Sequence, residues 1–314
     1  METAETNAIE KVSPHTVLQW LETKKTFFLI DTLTNDHFQA IHLPGARQAC
    51  VFEMNFLDQF AAITADKQAR IVLYGASRKT MDAAVAAEKL QREGFDNIFI
   101  LDGGMDAWQA AGYPLEGDRA DSPPPPETLL VLRDGAYRVD TVQSIVEWAG
   151  HNPHTKHDGT VGIAEGEIAV KDGQTTGTFM IDMNAIENRS LAGNDLQPVL
   201  ISHLKSDDFF FTRRFPTATL TIRSGTPREK PYVSAPNVDV QGELSLKGVK
   251  AELSFPATVY QDSNGTITAK ARFDLDRTRW KIIYGSTRFF EHLGMHLVFD
   301  IIHIDVKIVA QKMG

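Results

Sequence analysis

Four consecutive prolines interrupt this chain within Asp121–Glu127, which reads DSPPPPE. Such a run favours a stiff polyproline II spacer and cannot be accommodated in a helix or a sheet. The chain is therefore forced into two separately folded parts, and its 314 residues give each part enough length to bury a core. The parts differ in texture. Before the prolines, short apolar runs alternate with helical patterns: Phe27–Thr32, Arg70–Gly75 and Asn97–Gly103 read as buried parallel strands, while Val17–Leu21 and Met81–Arg92 carry apolar residues at helical spacing. That alternation predicts an α/β fold, a parallel sheet flanked by helices.

After the prolines the pattern is nearly all β. Thr217–Ser224, Gly242–Gly248, Thr266–Asp276 and His296–Ala310 alternate apolar and polar residues, and Asp172-Gly173 and Asn264-Gly265 give turn signals. Many alternating strands predict a barrel or sandwich. One short helical stretch, Pro198–Phe210, interrupts them, and the halves show no internal repeat.

Charge and cysteine usage narrow the function classes. A net charge of −9 without a long basic run argues against nucleic acid or an anionic membrane surface as partner. The single cysteine, Cys50, excludes an internal disulfide framework and any cysteine-based structural zinc site. Met1–Glu10 has neither a basic n-region nor an apolar h-region, and no stretch has the length of a membrane-spanning helix. A cytoplasmic protein that is not transmembrane is expected. No glycine-rich phosphate loop is present, since Gly103-Gly104 lacks dinucleotide-loop spacing.

Residues 12–115 resemble the rhodanese family. The resemblance rests on LIDT at 29–32, HLPGA at 42–46, IVLYG at 71–75, LDGGMDAW at 101–108 and GYPL at 112–115, in order and at family spacing. It implies sulfur transfer through a persulfide on a cysteine that opens the loop after the central strand, where backbone N–H groups and a helix N-terminus hold the anion. The matching loop here is Gly75, Ala76, Ser77, Arg78, Lys79 and Thr80, with Gly75 at the nucleophile position. Ser77 cannot carry a persulfide and suits a helix cap. Cys50 follows the HLPGA segment and reads as a buried small hydrophobe. Arg78 and Lys79 read either as an anion or partner site at the emptied loop or as solvated charge. The resemblance thus implies a non-catalytic module, a pseudoenzyme without thiosulfate sulfurtransferase activity, used to dock a protein partner or to regulate.

Residues 136–312 resemble the YceI-like family. The matching segments are Tyr137–Trp148, residues 156–168 with His157 and Gly159, His203–Ser224, Val240–Val259 and Asp276–Gly285. The resemblance implies an all-β, eight-stranded antiparallel, lipocalin-like barrel with a short helix, holding a polyisoprenoid or an isoprenoid quinone. About eight strands enclose just enough room for one slender ligand. Such a pocket needs apolar and aromatic walls with few polar groups. Candidate lining residues in the first half of the barrel are Trp148, Phe179, Met183, Leu204, Phe209, Phe210, Phe215 and Leu220. Phe255, Phe273, Tyr284, Phe289, Phe290 and Phe299 follow in the second half. The alternative for each is packing in a closed core, and the consecutive Phe209, Phe210 and Phe211 cannot all point one way.

Polar residues of the signature have separate readings. His203, Ser206 and Asp207 suit capping of the short helix, and His203, Arg213 and Arg214 are head-group candidates at the mouth. His151, His154 and His157 recur every third residue, but their loop contains Pro153 and lacks a carboxylate or cysteine set, so no metal site is expected.

The expected domains are residues 10–118, rhodanese-like, and 133–314, the YceI-like lipid-binding barrel, joined by a linker at 119–132. The expected function is a carrier or sensor for a long apolar ligand, with no required cofactor other than a bound isoprenoid or quinone-like lipid. Barrels of this family often pair, which leaves a homodimer open. Two alternatives stand beside the carrier: a sulfurtransferase-type enzyme using Cys50 or another group, and an interaction adaptor without ligand.

Overall fold

The structure, a computed structural model, describes residues 9–122 and 129–313. The chain divides into two compact units, Met1–Pro125 and Pro126–Gly314. The proline run itself, and the reading of it as a polyproline II spacer, lie outside the described residues, as does most of Met1–Glu10.

In the first unit, β1 (Glu10–Val12), α1 (Pro14–Glu22), β2 (Phe28–Asp31), α2 (Asn35–Ala40) and β3 (Arg47–Gln48) come first. Then follow α3 (Phe56–Ala61), β4 (Ile71–Tyr74), α4 (Asp82–Arg92), β5 (Ile98–Leu101) and α5 (Gly104–Ala110). The strands form one sheet in the order β1-β5-β4-β2-β3, and every pair is parallel. All four residues of β4 are buried, because both faces of a parallel sheet are covered. Ile71 and Leu73 pack with Phe56, Phe60, Ala86 and Leu90 from α3 and α4. Val72 and Tyr74 pack on the opposite face with Val17, Met105 and Trp108 from α1 and α5. The α4 sequence explains its docking: Ala83, Ala86, Ala87 and Leu90 fall on one stripe and are its buried residues. Ser13 caps α1 by accepting the Thr16 N–H at 3.1 Å.

The second unit is a closed barrel. β6 (Gly135–Val139) and β7 (Ile145–His151) are two halves of one stave, both lying between β8 (Lys156–Lys171) and β14 (Ile301–Lys312). β9 (Gln174–Asn188), β10 (Thr217–Pro227), β11 (Val238–Leu246), β12 (Val249–Gln261) and β13 (Ile267–Asp276) continue antiparallel around the wall. β13 closes the barrel onto β14 from Ile267↔Ala310 to Asp276↔Ile301. Asp172 and Gly173, both with positive φ, make the β8–β9 turn that a two-residue hairpin requires. Gly159 lies in β8 so close to its neighbour that a Cβ there would sit 1.9 Å from the Glu187 carbonyl oxygen.

Two boundaries depart from the sequence reading. The short helix α6 spans Leu196–Lys205 and does not reach Phe210. Ser206 ends it in extended conformation, its hydroxyl donating to the His203 carbonyl at 2.7 Å. The segment expected to start a strand at His296 instead holds a 3-10 turn at Gly294–His296, and β14 begins only at Ile301. There the chain presses on Gly285, where a Cβ would lie 2.2 Å from the His296 carbonyl oxygen.

Candidate functional site

The barrel encloses a cavity of about 460 Å³ that runs from its α6 end to the far end. Period-two alternation builds the wall: Ile302, Ile304, Val306 and Ile308 of β14 and Ala269, Ala271 and Phe273 of β13 face it. Trp148, Phe179, Met183, Leu204, Phe209, Phe210, Leu220, Phe255, Phe273 and Tyr284, all nominated from sequence, line this cavity. Phe255 and Phe273 stack at 4.4 Å on adjacent strands, and the Trp148 indole N–H donates to the Thr160 carbonyl at 3.2 Å.

Four nominated aromatics lie elsewhere. Phe215 covers Gly248, where a Cβ would come within 2.7 Å of its ring. Phe289, Phe290 and Phe299 are exposed by 52%, 43% and 45%. They sit in the irregular segment before β14, which has no strand alternation to turn them inward. Of the consecutive phenylalanines, Phe209 and Phe210 reach the cavity, while Phe211 takes a positive φ and packs against Phe215.

The head-group candidates also divide. His203 is on the cavity wall, its Nε2 at 3.2 Å from an Asp208 carboxylate oxygen and its ring edge-on to Tyr284 at 4.7 Å. Arg213 and Arg214 are exposed outside the wall, because the turn after α6 aims them into solvent. Ser206 caps α6 as expected. Asp207 does not: the Asp207 carbonyl accepts from Lys247 instead. His151 and His157 line the cavity but His154 lies in the β7–β8 turn. Among the described residues no three His, Cys, Asp or Glu side chains gather as a metal site.

Sequence reasoning missed His151, His157, Arg277 and His296 as wall residues. Arg277 is 2% exposed and donates to the carbonyls of Phe299, Ile282 and Val298 at 3.1, 2.6 and 3.0 Å. Burial pushes its pKa down, while Asp300 and Asp276 push it up. The aliphatic wall of β14 follows the same alternation as a packed core, so alternation alone did not mark it as a cavity wall.

In the first unit, Gly75 follows β4, and the loop to α4 folds onto itself. Asp82 accepts the Ala76 N–H at 3.0 Å, Thr80 the Ser77 N–H at 3.2 Å, and Ser77 the Lys79 N–H at 3.1 Å. Three of the loop's N–H groups are thus taken by side chains of the loop and of the first turn of α4. Arg78 pairs with Asp102 at 2.6 Å, so it does not face an empty loop. The N–H groups of Met105 and Asp106 donate to Gly75 and Ala76 carbonyls. Gly104 permits this approach with a positive φ and no Cβ. Cys50 is 1% exposed. Burial raises Asp31 to about 6, while the Tyr74 hydroxyl, the Leu33 N–H and His42 pull it back.

Comparison with known families agrees with both halves. The YceI-like domain matches residues 137–310, more than half of the chain. The chain belongs to the YceI-like family. A rhodanese-like domain matches residues 13–111, so the protein is a rhodanese-like domain fused to a YceI-like barrel. Among solved structures, BcnA of Burkholderia cenocepacia shares 18% identity at a TM-score of 0.45, covering 55% of this chain and 99% of its own. A polyisoprenoid binding domain from Saccharophagus degradans shares 16% identity at 0.43, covering 56% and 98%. The rhodanese-like domain of Alr3790 from Anabaena sp. shares 24% identity at 0.32, covering 40% and 93%. No curated protein matches the chain. No helix among the described residues is long and apolar enough to cross a membrane.

Proposed function

We propose that the YceI-like barrel is a carrier or sensor for one long apolar ligand of isoprenoid or quinone type. The observation that carries this reading is the cavity itself, about 460 Å³ with mostly apolar walls. A barrel of about eight strands can fill its interior with side chains; this one leaves room, in the size range of small-molecule sites. The ligand is the only small molecule the reading requires. The rhodanese-like unit, bounded at residues 10–118 and tethered through 119–132, acts without catalysis, docking a protein partner or regulating the barrel. Gly75 at the loop, the carboxylate of Asp82 beside it and the burial of Cys50 support that role. Pairing of two chains is compatible with it.

Trp148 lines the cavity, so quenching of its fluorescence on titration with a prenylated benzoquinone reports uptake. Ala257, 4% exposed and on the cavity wall, is the place to block it. Wild-type protein should show saturable quenching, and Ala257→Trp, folded by circular dichroism, should lose the bound mass in native mass spectrometry. Absence of saturable uptake by the wild type refutes the carrier reading.

A further inference from the structure

The two longest connections of the barrel, β9 to β10 through α6 and β13 to β14 through the Gly294–His296 turn, lie at the same end of the wall. They carry Leu196, Val199, Phe289, Phe290, Met295 and Phe299, all exposed. We propose, on the carrier reading above, that this apolar rim docks the barrel on a phospholipid bilayer, where it exchanges its ligand. A long apolar ligand has almost no free concentration in water, so a protein that carries one has to meet it at a membrane.

The sequence of α6 puts Leu196, Val199, Leu200, His203 and Leu204 on one helical stripe. Leu200, His203 and Leu204 line the cavity. Leu196 and Val199 continue the same stripe past the cavity and are left uncovered. The second connection repeats this division. Leu297 and Val298 line the cavity, while Phe289, Phe290 and Phe299 are exposed off its wall. Met295 is 88% exposed and still lines the cavity, so wall and rim form one apolar surface there. The backbone of the rim is pinned. The Val298 N–H donates to the Gly285 carbonyl and the Phe299 N–H to the His151 carbonyl, both at 2.9 Å. Arg277 donates to the carbonyls of Val298 and Phe299. A cluster of uncovered apolar side chains on a held backbone, continuous with a cavity mouth, marks an interaction surface and not scattered exposure.

Charge at this end suits a lipid surface, although the whole chain carries −9. On the two connections basic residues outnumber acidic ones. Arg288 is paired with Asp276 and Asp300, but the exposed Arg213, Arg214 and Lys281 have no such partner among the described residues. Apolar side chains with cations beside them match an interface of hydrocarbon under phosphate. The opposite end lacks this match. Its turns Asp172-Gly173 and Asp262–Gly265 carry aspartates, and its exposed Leu129, Val131 and Tyr232 lie off the cavity wall.

Flotation of the full chain with phosphatidylcholine vesicles free of prenyl lipid reads docking directly. The wild type should float with the vesicles. Phe289→Asp/Phe290→Asp should weaken partitioning at least about tenfold, the scale of withdrawing one large apolar side chain from the interface. Leu196→Asp/Val199→Asp, on the other connection, should do the same and keeps the test decisive if the first pair disturbs folding. Val142→Asp is the control: Val142 is 92% exposed but lies between β6 and β7, the two halves of one stave, and its variant should float as the wild type does. Transfer of a prenylated benzoquinone from loaded to empty vesicles should fall with docking in both pairs, while uptake of the same quinone added from ethanol, read by native mass spectrometry, stays unchanged. A wild type that does not float, or an equal loss in Val142→Asp, overturns the inference. So does a wild-type dimer that stays off vesicles and that Phe289→Asp/Phe290→Asp dissociates, which assigns the rim to a second copy. Uptake from ethanol without flotation sinks this inference and leaves the carrier reading standing. Flotation without any uptake sinks the carrier reading and the exchange role with it, and leaves docking alone.

Discussion

Restoring a cysteine to the rhodanese-like loop should damage the domain instead of reactivating it. A Cβ on Gly75 would lie 2.6 Å from Asp82 Oδ2 and 2.7 Å from Asp82 Cβ. The second contact involves an atom fixed to the first turn of α4, so rotation of the carboxylate alone does not relieve it. Gly75→Cys must therefore displace Asp82, which removes the acceptor of the Ala76 N–H. An orphaned donor costs about 1–3 kcal/mol and overpacking about 1–3 kcal/mol more. A central figure of about 3 kcal/mol corresponds to a little over a hundredfold in local opening. Amide hydrogen exchange by mass spectrometry on the full chain, read in peptides spanning residues 70–92, measures this opening. Asp82→Ala removes the oxygen but keeps the Cβ, so it should rescue Gly75→Cys only in part. Asp82→Gly removes both contacts and should rescue it further, with a coupling of about 2 kcal/mol in the double-mutant cycle. Wild-type exchange in Gly75→Cys, or thiosulfate turnover by that single variant, would refute the picture of a loop occupied by its own carboxylate.

Three other outcomes follow from buried groups. Arg277→Met leaves the carbonyls of Ile282, Val298 and Phe299 without their donor and should cost the barrel about 3–5 kcal/mol in urea unfolding; a cost below about 1 kcal/mol would show that water replaces the guanidinium. Gly159→Ala should break the β8–β9 pairing, visible as lost far-ultraviolet β signal or failure to fold, because its Cβ would overlap the Glu187 carbonyl. Asp31 titrates at about 6 in the folded unit against 3.8 for the free side chain, so the folded state holds a proton that the unfolded chain releases. The first unit should lose stability as pH rises from about 4 to 6, by about 3 kcal/mol in full. Asp31→Asn should abolish that slope in exchange protection of β2, and a wild-type profile flat across the window would contradict the buried-acid assignment.

The fold was legible where a local pattern had a single physical solution. β4 reads IVLY because both its faces are covered, and β14 reads IIHIDVKI because one face lines a cavity. Asp172-Gly173 marked its turn because two successive positive φ values admit few residue pairs. The α6 terminus was not legible, because it depends on Ser206 turning its hydroxyl back to His203 while apolar residues resume at Phe209–Phe211. The site was read best from aromatic residues inside strands and worst in the segment before β14. There Phe289, Phe290 and Phe299 match the composition of a wall without its geometry. Arg277 and Trp280 show another limit: their motif was visible, but Arg277's bonds to the Phe299 and Val298 carbonyls and the Trp280 N–H bond to the Leu244 carbonyl at 2.8 Å join residues more than twenty positions apart.

The central claim is that the barrel holds a lipid, and native mass spectrometry of gently purified full-length protein, followed by organic extraction and lipid analysis, tests it most directly. The account predicts a bound species of defined mass that extracts as an isoprenoid or quinone-like lipid, and that is lost in Ala257→Trp. An apo mass that takes up neither added prenyl quinones nor prenyl alcohols would contradict it and leave the barrel as a binding surface for protein alone.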